Sequence, residues 1–131
     1  MKHDIKFEHD GSLVTITASG EPTYAGFETY INELIDSPAW YPGTTVLCDF
    51  RELMIKNLSG NEIRSIVNVH KPYMNRIGNS KVAVVVSRRV DFGLVRMWEI
   101  LAEDIFPQHR GFYTIEEALK WINEEGISTL Y

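Results

Sequence analysis

Four consecutive segments between residues 81 and 122 decide the fold of this 131-residue chain: KVAVVVS (81–87), DFGLVRMWEILAEDI (91–105), HRGFYT (109–114) and TIEEALKWI (114–122). The first and third are short and rich in β-branched or aromatic residues, which is typical of strands. The second and fourth carry apolar residues at helical spacing. Strands that alternate with helices in this way build a parallel sheet with helices packed on it. The sequence therefore predicts an α/β fold.

The N-terminal residues add a hairpin and a helix. Polar and apolar residues alternate around Ile5 and Phe7 and again over 13–17, and Asp10-Gly11 stands between the two segments. This pattern predicts an antiparallel hairpin with a tight turn. A helix is expected next, since the apolar stripe that includes Phe27 has helical spacing.

The middle of the chain continues the alternation of strand and helix. Residues 44–50 (TTVLCDF) predict a buried strand, residues 51–58 a loop, and Ser59 with Glu62 a capping box that opens the next helix. Pro72 falls within that helical pattern and predicts a break near His70. We expect a single domain (1–131) with a mixed sheet, antiparallel at the hairpin and parallel from 44 to 114, and about four helices.

Composition and charge narrow the class of protein. Hydrophobic residues make up 44% of the chain and charged residues 24%, which are ordinary values for a globular protein. The net charge of -5 argues against a general nucleic-acid binder, which needs a basic surface. Cys48 is the sole cysteine, which suits the reducing cytoplasm. The N-terminus has no apolar run after a basic segment, so no secretory signal is predicted. The longest apolar run in the chain, 82–86, is too short to span a membrane. We therefore expect a cytoplasmic protein without integral membrane association.

No catalytic or metal-binding motif is legible in the sequence. The four histidines (His3, His9, His70 and His109) lack the short spacing of a shared metal site. We expect His70, which lies on an apolar helical stripe, to be a hydrogen-bonded core residue, and Cys48 in its buried strand to be an inert thiol. The sequence therefore predicts no enzyme activity, no cofactor and no metal.

A candidate ligand site lies where the parallel strands end. Ligands of open parallel sheets bind beyond the carboxyl ends of the strands, and two strand-to-helix loops here carry arginine. If the two strands are neighbours, these loops offer donors for an anionic group such as phosphate or carboxylate. The alternative is that Arg88 and Arg89 are solvated and paired with nearby aspartates. The predicted anion site consists of Asp49, Arg51, Ser59, Arg88, Arg89 and Asp91.

The helix at 91–105 has more apolar surface than a sheet alone would cover. Its polar residues Arg96, Glu99 and Glu103 lie on one narrow face. The excess could be covered by a neighbouring helix or the tail 126–131, or else by a second copy of the chain or a small amphipathic ligand. For the homodimer hypothesis, the expected interface residues are Leu94, Met97, Trp98 and Leu101.

The order of elements resembles the SpoIIAA-like family. That family shares the anti-sigma-factor-antagonist (STAS) fold and is related to the CRAL-TRIO lipid-binding domains. The segments KVAVVV, DFGLVRMWEILAED and RGFYTIEEALKWI are similar to stand-alone bacterial STAS/CRAL-TRIO-like proteins of unknown role. The resemblance covers nearly the whole chain and implies a SpoIIAA-like α/β fold.

The resemblance also implies a type of function. In anti-sigma-factor antagonists a strand ends in aspartate, and a serine followed by glycine opens the next helix and is phosphorylated. Asp49 and Ser59-Gly60 match this outline, whereas the usual acidic-serine-serine-glycine signature is replaced by Asn-Leu-Ser-Gly at 57–60. The implied function is a non-enzymatic regulatory or protein-interaction module with a protein partner. The alternative is a carrier that holds a lipid or other amphipathic anionic molecule under the helix at 91–105.

Overall fold

The structure, a computed structural model, describes residues 1–106 and 108–128. Within them one sheet contains, in chain order, β1 (Lys2–Glu8), β2 (Leu13–Gly20), β3 (Thr45–Leu53), β4 (Lys81–Val86) and β5 (Gln108–Phe112). Strands β1 and β2 are antiparallel, and all other neighbours are parallel. Because β4 lies between β3 and β5, the predicted α/β fold with a mixed sheet is confirmed.

Helices cover both faces of this sheet. Four helices of nine residues or more and one single-turn helix are described: α1 (Tyr24–Asp36), α2 (Gly60–Asn68), α3 (Met74–Ile77), α4 (Phe92–Ala102) and α5 (Ile115–Ser128). Helices α1 to α4 pack on one face and form the main core with β2, β3 and β4. Helix α5 packs on the other face over a smaller core. The strands in the middle are therefore buried on both sides, as parallel strands usually are.

Local signals in the sequence place two helix boundaries correctly. Ser59 and Glu62 form the predicted capping box, in which the Ser59 hydroxyl accepts from the Glu62 amide at 3.2 Å. Helix α2 ends at Asn68, and Pro72 lies in a short 3₁₀ turn that leads into α3. The break near His70 is confirmed, since proline cannot donate a helical hydrogen bond.

Strand β3 is longer than the sequence predicted. The predicted loop at 51–58 begins instead with three strand residues, because β2 extends to Gly20 and supplies partners up to Leu53. The remainder contains a short 3₁₀ turn at 55–57. This extension places Arg51 on the end of a strand rather than in a loop.

The turn between β1 and β2 is also longer than predicted. Pairing ends at Glu8 and Leu13, so four residues connect the strands instead of a two-residue turn. Asp10 and Gly11 both have positive φ, 58° and 87°, which explains why these residue types occur here.

Phe27 should be the largest single contributor to the main core. Its side chain is 0% exposed, and its ring lies 5.4 to 6.1 Å from the rings of Tyr30, Phe50 and Trp98. We expect Phe27→Ala to lower the free energy of unfolding by about 3–5 kcal/mol in urea denaturation, through lost burial and a cavity. The matched control is Phe92→Ala, which removes the same atoms from a side chain that is 70% exposed and should cost less than about 0.5 kcal/mol. Equal losses for both variants would contradict this assignment of the core.

Candidate functional site

Two strand-to-helix loops meet at the carboxyl edge of the parallel strands. One follows β3 and leads to α2, and the other follows β4 and leads to α4. Between them is a crevice of about 170 Å³, which we call the basic crevice. Its lining consists of Arg51, Glu52, Leu53, Met54, Lys56, Ser87, Arg89 and Val90. Of the six predicted site residues, Arg51 and Arg89 therefore line one concave surface.

Arg51 is held by an aspartate two residues earlier on the same face of β3. Its Nε lies 2.8 Å from Asp49 Oδ1 and its Nη2 lies 2.9 Å from Asp49 Oδ2, so the pair is bidentate. The hydrogen bonds from Arg51 hold the pKa of Asp49 below its usual range. Asp49 thus positions the guanidinium at the crevice and is not itself among the lining residues.

Ser59 and Asp91 serve as helix caps. Ser59 caps α2, and Asp91 Oδ1 accepts from the Gly93 amide at 2.7 Å at the start of α4. Neither residue lines the basic crevice, and neither does the exposed Arg88. The six predicted residues therefore share one edge of the sheet without forming one cavity, and anion binding there stays a prediction.

The predicted interface at Trp98 requires a correction. Trp98 is buried in the main core, where its ring lies 6.1 Å from that of Phe27 and its indole N–H donates to His109 Nε2 at 3.2 Å. It is therefore covered by its own chain and is not available to a partner. The other three predicted interface residues, Leu94, Met97 and Leu101, are half-buried.

Helix α4 nevertheless keeps an exposed apolar surface. Phe92 is 70% exposed and Ile100 is 57% exposed. They form one concave surface with Met97 and Leu101, which the exposed Arg64 and Arg96 flank; we call this surface the α4 face. Phe92 and Ile100 were not among the predicted interface residues, although their spacing of four residues on either side of Arg96 puts them on the polar side of the helix.

The neighbouring helix α2 covers part of the excess apolar surface of α4, which is one of the alternatives that the sequence predicted. The methyl group of Met97 packs over Gly60 at the start of α2, where an added Cβ would lie 2.9 Å from Met97 Cε. Residues 129–131 of the tail, the other alternative, lie outside the described residues. The void beneath α4, which Val86 and Leu94 help to line, amounts to about 20 Å³. That is space for a single water and not for a lipid chain.

The buried His70 and the half-buried His109 belong to an aromatic cluster that the sequence revealed only in part. His70 is the predicted core histidine: its Nε2 lies 3.3 Å from the Tyr30 hydroxyl and its Nδ1 lies 3.2 Å from the Val67 carbonyl. Phe106 contacts both imidazoles, with ring centroids 5.2 Å from His70 and 5.8 Å from His109. Because Nε2 of His109 accepts from Trp98, its proton resides on Nδ1, which is buried and has no partner among the described residues.

Burial controls the protonation of this cluster and of the one cysteine. Desolvation lowers the pKa of His70 to about 4 and that of His109 to about 3. It raises the pKa of the Cys48 thiol to about 12, which makes this thiol unreactive. In residues 1–106 and 108–128, His, Cys, Asp and Glu nowhere form a group of three or more that could hold a metal ion.

Comparison with known proteins identifies the fold of this chain but no family. No family model and no curated protein matches the sequence. The chain is similar to an uncharacterised protein of the DUF3478 family with a SpoIIAA-like fold from Shewanella loihica, at a TM-score of 0.57 and 20% identity over 92% of this chain and 91% of that chain. It is also similar to an anti-sigma factor antagonist from Mycobacterium paratuberculosis, at a TM-score of 0.57 and 17% identity over 93% of each chain. The chain thus has the SpoIIAA-like fold, which confirms the predicted resemblance at the level of fold.

Among the described residues, no helix is long and apolar enough to cross a membrane.

Removing the Ser59 cap should destabilise the chain without changing its fold. The hydroxyl is one of two groups that satisfy the first turn of α2, so Ser59→Ala should lower the free energy of unfolding by about 1 kcal/mol. Ser59→Asp is the matched variant, because aspartate caps equally well and should retain most of the stability. Chemical denaturation measures both, and an Ala variant as stable as the parent would show that the cap contributes nothing.

The histidine cluster should make stability dependent on pH. The pKa of each imidazole is lower in the folded chain than the ordinary 6.5 of the unfolded chain, so the unfolded state binds more protons below that pH. The free energy of unfolding should fall as the pH is lowered from about 6.5 to about 4, by up to ~3 kcal/mol per histidine. A His70→Gln, His109→Gln double variant should be less stable at pH 7 and should show a flatter dependence over this range. The same slope for parent and variant would contradict the assignment.

Proposed function

We propose that this chain is a non-enzymatic regulatory module that acts by binding another protein through the α4 face. The observation that carries the proposal is the exposure of Phe92 and Ile100 on a helix whose opposite side is packed in the core. Large apolar side chains grouped at the surface are typical of interaction sites. The similarity to an anti-sigma factor antagonist supports the same class of function.

The charges around the α4 face favour an acidic partner segment. Arg64 from α2 and Arg96 from α4 flank the apolar residues, and Arg64 forms no ion pair with the described residues. Arg96 is 3.7 Å from Glu99, a weak contact at an exposed position. A partner that presents apolar side chains between carboxylates would match this surface in both polarity and charge.

Ser59 is placed where a change of charge could affect that binding. It precedes Gly60, over which Met97 of the α4 face packs. A phosphate on Ser59 would put negative charge beside a surface that favours an acidic partner, and it would also oppose the Glu62 carboxylate that accepts from the Ser59 amide at 2.9 Å. Phosphorylation would therefore weaken the complex in this proposal.

The alternative function, a carrier of an amphipathic ligand under α4, has less support. The void of about 20 Å³ beneath the helix would have to expand to the several hundred Å³ that ligand pockets occupy. Native mass spectrometry of the freshly purified chain distinguishes the two, because a carrier should retain a lipid mass. The proposal includes a cytoplasmic location, which the single cysteine favours.

Site-specific photo-crosslinking in cells that express the chain tests the proposal. A p-benzoylphenylalanine that replaces Ile100 should crosslink to a distinct protein, and the partner peptide identified by mass spectrometry should be rich in Asp and Glu. The same amino acid at Leu119 is the matched control, since Leu119 is 39% exposed on α5, across the sheet. Adding Arg64→Glu should abolish the crosslink at position 100 without unfolding the chain, as measured by circular dichroism.

Three results would contradict the proposal as stated. Equal crosslinking from positions 100 and 119 would show that the α4 face has no specificity. A lipid adduct at position 100 would favour the carrier. A crosslink to a second copy would assign this surface to the predicted homodimer, which is otherwise untested.

A further inference from the structure

The basic crevice brings together cations from three separate parts of the chain. Arg51 comes from the end of β3, Lys56 from the 3₁₀ turn at 55–57, and Arg89 from the loop after β4. Glu52 is the one acidic residue among those that line it. A concentration of cations is unexpected on a chain with a net charge of -5, because its average surface repels anions.

Two of these cations form no ion pair with the part of the chain that the structure describes. The side chains of Lys56 and Arg89 contact no carboxylate among the described residues, whereas Lys6, Arg76 and Arg96 are each within 4 Å of one. Their hydrogen-bond donors are therefore available to a ligand. Binding would not first have to break an existing ion pair, which makes association less costly.

Two other lining residues, Arg51 and Ser87, make hydrogen bonds that fix part of the crevice. Arg51 donates to Asp49 through Nε and Nη2, which orients the guanidinium and leaves Nη1 free of that pair. The Ser87 hydroxyl oxygen accepts from the Arg89 amide at 3.2 Å, so the loop after β4 is braced and the hydroxyl hydrogen can still be donated. Donors from Arg51, Ser87 and Arg89 therefore face one space before any ligand enters.

We propose that the basic crevice binds the phosphate group of a phosphate monoester. A phosphate dianion offers three acceptor oxygens, which suits charge-assisted hydrogen bonds from Arg51, Lys56 and Arg89. The volume of about 170 Å³ is below that of pockets that enclose a whole drug-sized ligand, so the phosphate fills the crevice and the rest of the molecule extends into solvent. The inference is independent of the proposed protein partner, because the crevice and the α4 face share no lining residue.

Adjacent arginines provide a matched pair of variants. Arg89 lines the crevice and Arg88 does not, although both are exposed residues of the same loop. Inorganic phosphate is the first probe, titrated against thermal stability with sodium chloride at matched ionic strength. The melting temperature of the parent and of Arg88→Ala should rise with phosphate concentration and reach a plateau. For the Lys56→Ala, Arg89→Ala double variant, the phosphate concentration that gives half of this rise should increase by roughly tenfold or more, as expected for the loss of charged hydrogen bonds.

A second measurement on the unmodified chain keeps the proposal testable if the double variant folds poorly. In a two-dimensional ¹H–¹⁵N NMR spectrum, phosphate should shift the backbone amide signals of residues 51, 56, 87 and 89, and all four shifts should fit the same dissociation constant. Glycerol phosphate and a phosphoserine peptide then serve as the two ester probes, and the tighter of them identifies whether the phosphate is borne by a small molecule or by a protein. A response to phosphate no greater than to chloride, or an equal loss in Arg88→Ala and the double variant, would overturn the proposal.

Discussion

The rest of the structure depends on the burial of β4 on both of its faces. Ala83 and Val85 are 0% exposed on the side of α5, and Val82, Val84 and Val86 are buried on the side of α4. A strand without a polar face needs hydrogen-bonded neighbours on both edges and a helical layer on both faces. This requirement places β3 and β5 beside it, and it sends the chain from β4 through α4 to β5 and then to α5 on the opposite face. Both candidate surfaces include residues that follow the end of β4, because Ser87, Arg89 and Val90 help to line the basic crevice and α4 supplies most of the α4 face.

The features that the sequence predicted correctly are those that a few neighbouring residues determine. The run at 81–87 has no polar residue between Lys81 and Ser87, so the burial of this strand could be predicted from the segment alone. Pro72 breaks the helix wherever the rest of the chain lies, and Ser59 caps α2 through atoms within three residues. The end of β3 was missed because it depends on a distant segment: residues 51–53 are strand only because β2 supplies Ser19 and Gly20 as partners.

In the candidate site, too, the features set by neighbouring residues could be predicted, and those set by distant segments could not. The alternation of elements predicted that the parallel strands end at one edge of the sheet, but the adjacency of β3 and β4, which brings Arg51 and Arg89 together, was only a condition of that prediction. Which of two consecutive arginines enters the crevice is set by the path of the loop after β4, which the Ser87 hydroxyl fixes, and no spacing rule contains that information. Trp98 was assigned to an interface for a related reason. Its burial depends on His109 and Phe27, residues from a different strand and a different helix.

The exposed apolar residues of α4 are not needed for the folding of the chain. Val95, Trp98 and Ala102 give the helix a complete buried stripe, so Phe92 and Ile100 add little to the core. Their exposure favours association and aggregation, which in most exposed positions is avoided with polar side chains. Helix capping and core packing thus use Ser59, Asp91 and Trp98, whereas Phe92 and Ile100 stay exposed and Lys56 and Arg89 form no ion pair with the residues that the structure describes. The exposed apolar residues of α4 and the cations of the basic crevice thus form two separate surfaces that share no lining residue, so each can be altered by substitution without changing the other.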